Sequence, residues 1–308
     1  MHLIESDHWR LWSDPAVGVQ WMAGQVQCNG QWHDVVPDCR APETKGIPAA
    51  GQSSEQPLAA ANFHMIPYSN RVRDAQFAFN GQKITLEGAQ KHAIHGALRK
   101  LPWKIIKAEK QSLTCEFDSR EHRPVNWPWP LLARIEQQVA GATLSSRISI
   151  TNLGTTDMPV GTGWHPYFVR NVGNAAPLLT LPVNAVFPDE SGDCLPDGPA
   201  VDLPPELDFR KPRPLDPQQR IDCCLSGLSG SCHIHWQDAG IELIMSADEA
   251  CRYLVLFNPD MPHFAVEPVS NANDAFNLAA RGIDAGLTTI EPNEEFSVSM
   301  ELQVRIKE

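Results

Sequence analysis

The run Gly161-Thr-Gly-Trp-His-Pro-Tyr-Phe168 sets one histidine, His165, among aromatic residues and directly before a proline. A residue before proline is pushed towards extended geometry, so His165 is expected at a strand end or in a loop. No metal-ligand partner stands at helical spacing from it. An imidazole held between Trp164 and Tyr167 suits proton transfer to a ligand with an apolar face, and a sugar is such a ligand. The same residues also suit a packed aromatic cluster. A second histidine, His95, stands in Ala93-Ile-His-Gly-Ala-Leu-Arg99. A glutamate, Glu267, ends an apolar run in Phe264-Ala-Val-Glu-Pro-Val-Ser-Asn-Ala-Asn-Asp-Ala-Phe276.

With Phe63-His-Met-Ile-Pro-Tyr-Ser-Asn-Arg-Val72 these segments stand in an order that resembles the aldose 1-epimerase (galactose mutarotase) family. The resemblance runs from about residue 60 to the C-terminus, and the first fifty or so residues carry no diagnostic motif. It implies a large twisted β-sandwich, the supersandwich of that family, with a ligand cleft on a concave sheet. It also implies interconversion of the α and β anomers of a free aldose. A base takes the proton of the C1 hydroxyl, and an acid protonates the ring oxygen as the ring opens. The open chain turns about C1–C2, and the roles reverse. No metal, nucleotide or covalent intermediate is required, so no cofactor is expected.

By this resemblance Glu267 is the base, in a motif that reads Glu-Thr-Gln in the family and Glu267-Pro-Val-Ser270 here. His165 is the acid, with Val169 where the family often has asparagine. His95 would hydrogen-bond the ring oxygen or a neighbouring hydroxyl, with Ala97 in place of the family's second glycine. Asn70 and Arg71 match an Asn-Arg pair, and Asp222 in Arg220-Ile-Asp-Cys-Cys224 resembles a substrate-binding aspartate. The implied pH profile is a bell, with its acidic limb from the carboxylate and its basic limb from the histidine.

Each residue has a plainer reading. Glu267 could be a strand-end surface charge. Asn70 and Arg71 could be turn residues, and Asp222 a cap. His64 and His92 read as supporting or incidental. The two indoles of Asn126-Trp-Pro-Trp-Pro130 could face a sugar or anchor the core. A hexose-6-phosphate 1-epimerase is the alternative within the class. That branch tends to show a Trp-Pro-rich segment where this chain has Ile66-Pro-Tyr-Ser-Asn-Arg71. Arg99 does not discriminate, since both branches carry an arginine at that spacing. A non-catalytic carbohydrate-binding or regulatory protein is the alternative outside the class, but it would need no paired acid and base.

Other chemistries fit poorly. Gly227-Leu-Ser-Gly-Ser231 lacks the spacing of a nucleophile elbow. No glycine-rich phosphate loop follows a strand. Casting Glu267 and Asp222 as a glycosidase pair leaves both histidines unexplained. Cys223, Cys224, Cys232, His233 and His235 include no C-x-x-C pair, and alternation puts Cys232 and His233 on opposite faces. No metal is expected there.

The elements that must position these residues are strands. Phe77-Ala-Phe79 and Gln82–Leu86 flank Asn80-Gly81, a type I′ hairpin signal. Arg134–Val139 and Thr143–Ile150 form a second hairpin, His233–Trp236 and Ile241–Met245 a third. Residues 295–306 alternate throughout. Prolines, 26 of 308 residues against a norm of about 5 %, leave few windows for long helices. An all-β antiparallel sandwich with few short helices is expected, as one domain over residues 1–308. Residues 171–220 and 37–57 read as irregular, the latter as mobile.

The net charge of −12 argues against nucleic acid or an anionic membrane as partner. A small-molecule sugar is the expected partner, and the chain a monomer or homodimer. The N-terminus lacks the apolar core of a signal peptide, and no apolar run reaches the roughly 18 residues of a span. A cytoplasmic protein with eight free cysteines is expected.

Overall fold

A computed structural model of the chain describes residues 1–41, 58–87, 91–122, 124–174 and 176–307. Most of the stretch read as irregular and mobile, residues 42–57, lies outside the described residues.

Two large antiparallel sheets dominate. The nine-stranded sheet runs, in spatial order, Lys104–Ala108, Ser112–Asp118, Leu131–Ala140, Thr143–Asn152, Glu295–Ile306, Ile241–Ala247, Cys232–Trp236, Leu178–Thr180 and Arg213–Pro214. Leu131–Ala140 alternates between buried and accessible positions, as a strand with one face on the core and one in water must. The eight-stranded sheet runs Val201–Asp202, Ala185–Val186, Ile221–Ser226, Tyr253–Asn258, His263–Val269, Gly163–Trp164 and His64–Met65, with Tyr167–Val169 also paired to His263–Val269. Its central strands are buried on both faces: every residue of His263–Val269 is buried. One face, with Leu254, Leu256, Phe264 and Val266, packs into the main core. The other, with Tyr253, Val255, Ala265 and Val269, forms a smaller apolar cluster with Phe63, Met65 and Tyr167.

The predicted hairpins are present. Gln76–Phe79 pairs with Gln82–Thr85, and Asn80 and Gly81 both have the positive φ of a type I′ turn, 47° and 75°. Residues 295–306 form one twelve-residue strand. The α-helix Ala275–Ala280 has six residues. Short strands and a 3-10 turn punctuate residues 171–220. No described helix is long and apolar enough to cross a membrane.

An N-terminal sheet of His2–Glu5, Trp9–Asp14, Gln20–Cys28 and Gln31–Val36 was not anticipated. It carries the same hairpin signal, since Asn29 (φ 51°) and Gly30 (φ 78°) join the paired residues Cys28 and Gln31. Trp21 bridges Asn62, which joins this sheet to the segment entering the candidate site.

Candidate active site

Glu267 is mounted on the central strand His263–Val269. Successive side chains alternate between faces. Phe264 and Val266 enter the main core, which leaves Glu267 on the opposite face with Ala265 and Val269. The strand register aligns Cys224, Val255 and Glu267 in one row. The carboxylate is therefore held by the sheet rather than by a loop, and it is 1 % exposed, not a surface charge.

His165 sits between Gly163–Trp164 and Tyr167–Val169. Trp164 turns inward, and its indole N–H donates to Ser146 Oγ of the other sheet at 3.0 Å. His165 takes the opposite direction. Its backbone N–H donates to both Asn62 Oδ1 and Phe63 O, each at 3.0 Å. Its Nε2 lies 3.2 Å from Glu267 Oε1. Phe63 and Tyr167 pack against the ring at centroid distances of 4.4 and 4.6 Å.

Two left-handed residues bring in the remaining groups. The His95 N–H donates to Asn70 O at 2.7 Å, beside the short pairing of Arg71–Val72 with Ala93–Ile94. Asn70 and His95 have φ of 43° and 64°. Asn70 Nδ2 then reaches Glu267 Oε2 at 3.2 Å. The His95 ring stands edge-on to His165 at 5.0 Å, and Arg99 Nη1 lies 3.1 Å from His95 Nδ1. Gly96 follows with φ 73°, so close to Ile66 that a Cβ would lie 2.4 Å from its carbonyl oxygen.

The structure thus brings His165, Glu267, His95 and Asn70 together. Arg71 and Asp222 form an ion pair beside them, Nη1 to Oδ2 at 3.7 Å, close enough for Asp222 to raise and Arg71 to lower the Glu267 carboxyl. Asp222 shares the face of Cys224 and Glu267 by alternation, but its side chain is 35 % exposed. Segment 189–197 lies beside this pair, since Cys194 is buried next to Asp222 and Arg71. It is tied by Lys91 to Asp193, by Arg73 to Asp197 at 3.5 Å, and by Asn273 Nδ2 donating to Cys194 O at 2.6 Å.

Burial raises the Glu267 carboxyl well above the usual carboxylate range, against the hydrogen bond from Asn70, which favours the charged form. Burial also lowers His165 to about 3 and His95 well below the usual histidine value. Water is excluded, so the charged form of each group is disfavoured.

Other candidates lie elsewhere. Trp127 is 6 % exposed and packs against Tyr68, Phe77 and Phe276, which makes the tryptophan loop a core anchor. His64 is buried in register with Trp164. His92 accepts from the Asp74 N–H at 3.0 Å. In Cys232–Trp236, Cys232 is buried and His233 partly exposed, on opposite faces. Among the described residues no group of three or more His, Cys, Asp or Glu could hold a metal ion.

Sequence reasoning missed Asn62, whose side chain holds the His165 backbone, and Phe63, whose ring touches both histidines. It assigned no role to Arg99. The adjacency of Asn62 and Phe63 to the Asn70-Arg71 motif was the available signal.

The aldose 1-epimerase family model matches residues 51–303. The Escherichia coli protein YphB is 27 % identical over 290 residues, 89 % of this chain and 91 % of its own length. A galactose mutarotase-like protein from Clostridium acetobutylicum superposes with a TM-score of 0.80 at 15 % identity, over 99 % of this chain and 94 % of its own. A GalM/aldose epimerase homologue from C. elegans gives 0.80 at 14 % identity, over 100 % and 99 %. These two similarities show a shared fold.

Proposed function

Because the chain belongs to the aldose 1-epimerase family, we propose that it interconverts the α and β anomers of a free aldose by acid–base opening and closure of the ring. The observation that carries this reading is the 3.2 Å contact between His165 Nε2 and Glu267 Oε1, both 1 % exposed. The C1 hydroxyl oxygen and the ring oxygen are bonded to the same carbon. Two groups in contact can therefore reach one oxygen each. Glu267 takes the hydroxyl proton while His165 gives its proton to the ring oxygen as the C1–oxygen bond breaks. The aldehyde turns about C1–C2, and reversal of both transfers closes the ring on its other face.

The pair holds one proton before and after ring opening. It begins as carboxylate and imidazolium and ends as carboxylic acid and neutral imidazole. Burial favours the uncharged state, and so lowers the cost of the open-chain intermediate. The Asn70 hydrogen bond favours the carboxylate, and so supports the starting state. Asn70→Ala is therefore expected to lower kcat about tenfold, the scale of one hydrogen bond to a charged group, rather than mainly to raise KM. Steady-state rates would check this; a change confined to KM would make Asn70 a simple hydroxyl-binding residue.

The pH dependence follows from the shared proton. A second proton adds only near the lowered His165 value of about 3, and the last leaves only above the usual carboxylate range. The expected kcat/KM profile is a plateau, its acid limb from His165 and its basic limb from Glu267. This reverses the order expected from residue types alone, because both groups are buried. An acid limb near the ordinary histidine pKa of about 6.5 would count against a buried, coupled pair.

Polarimetry on freshly dissolved α-anomers of glucose, galactose and xylose, with glucose 6-phosphate alongside, tests the function. Acceleration of a free sugar supports it. Acceleration of the phosphate alone would point to a hexose-6-phosphate 1-epimerase. Binding without acceleration would make the protein a carbohydrate-binding module.

A further inference from the structure

Arg99 Nη1 lies 3.1 Å from His95 Nδ1. A guanidinium has donors only and stays charged at any working pH. The hydrogen bond therefore has one sense: Arg99 donates, and the Nδ1 lone pair of His95 accepts. An imidazole with a bare Nδ1 is neutral and carries its hydrogen on Nε2. On the reading that a sugar binds against His165 and Glu267, we propose that Arg99 is a positioning residue that locks His95 as the neutral Nε2–H tautomer, a fixed hydrogen-bond donor to a sugar oxygen and not a proton-transferring acid.

The surroundings support the lock. Phe63 lies under the Arg99 guanidinium, 5.2 Å to its centroid, and the same ring stands 4.8 Å from His95. The Arg99 carbonyl accepts from Gln20 Nε2 at 2.7 Å, which ties this segment to the N-terminal sheet. The titratable and charged groups facing His95 are His165, Arg99 and Arg71, and each disfavours a charge on it, as burial does. With Nδ1 taken by Arg99, Nε2 is the ring nitrogen that carries the hydrogen a ligand oxygen would accept. The histidines then divide the work. His165 touches the carboxylate and can take a proton from the shared pair. His95 faces a permanent cation and cannot.

The test is ¹⁵N NMR of the histidine side chains, with His95 assigned from a His95→Asn variant. Wild-type protein should show a bare Nδ1 and a protonated Nε2 at His95, with no titration between about pH 5 and 8. Arg99→Met should mix the tautomers and lower kcat about tenfold with little change in KM, the scale of one hydrogen bond. Arg99→Lys should restore the tautomer, since an ammonium also only donates. An Nδ1–H tautomer or an imidazolium at His95 in wild-type protein would overturn the proposal, as would an unchanged tautomer in Arg99→Met. Should Arg99→Met fail to fold, the wild-type spectrum decides alone. The spectrum needs no turnover, so failure to accelerate any sugar would end the functional reading and leave the tautomer result standing.

Discussion

Glu267→Gln is expected to lower kcat by about 10² to 10⁴-fold, the usual contribution of a general acid–base group, while KM changes little. The amide keeps the shape of the carboxylate and much of its hydrogen bonding, but it cannot take the C1 hydroxyl proton. His165→Asn should cost a similar factor, because the ring oxygen loses its donor. The double variant separates two accounts. His165 Nε2 and Glu267 Oε1 are 3.2 Å apart and share one proton in the proposed cycle. Removing both should then cost scarcely more than removing either. Losses that multiply would mean that the groups act independently. A near-normal kcat in Glu267→Gln would remove it as the base, and Asp222, on the same face of the sheet, would be the next residue to test.

Gly96→Ala is expected to cost about 3 to 5 kcal/mol of stability. Two costs combine. At φ 73° an L-residue pays the left-handed penalty of about 1 to 2 kcal/mol. In addition a Cβ would lie 2.4 Å from Ile66 O and 2.5 Å from Ile66 N, which are backbone atoms that cannot swing aside. Gly30→Ala isolates the first cost, since Gly30 has φ 78° and nothing within 4 Å of a built Cβ. Urea midpoints at an unchanged slope would measure both. Equal losses at the two positions would mean that the Ile66 backbone yields and that the packing of His95 is looser than it looks.

What was legible in the sequence was legible through local rules. Alternation marked the outer strands, because one face of each meets water, and Asn80-Gly81 marked its hairpin. The equivalent Asn29-Gly30 hairpin was equally visible but lay where no chemical motif drew attention. Strands buried on both faces, such as Tyr253–Asn258 and His263–Val269, carry no alternation, so Glu267 read as a charge at the end of an apolar run. The segments bearing His95, His165 and Glu267 could be named from their motifs. Their contacts could not, because the sheet pairs strands that are distant in sequence. The direction of the acid and base shifts was hidden for the same reason. It depends on how completely each group loses water, which no local pattern records. Arg99 was seen in the sequence, but its meaning required knowing which imidazole nitrogen it meets.

The two halves of the site are anchored differently. His165 and Glu267 ride on paired strands at the centre of a sheet, and Trp164 pins that region to the opposite sheet. Arg71, Asp222 and segment 189–197 sit at the accessible side, held by side-chain ties that include the exposed Lys91–Asp193 and Arg73–Asp197 pairs. Exposed ion pairs are energetically cheap to exchange, at about 0 to 1 kcal/mol each. Natural drift or a designer could thus rewrite the rim, in sequence or in length, while the reacting groups keep their coordinates. On the proposed function, such an arrangement would let a lineage change its sugar by loop substitution alone, with the inherited chemistry left intact.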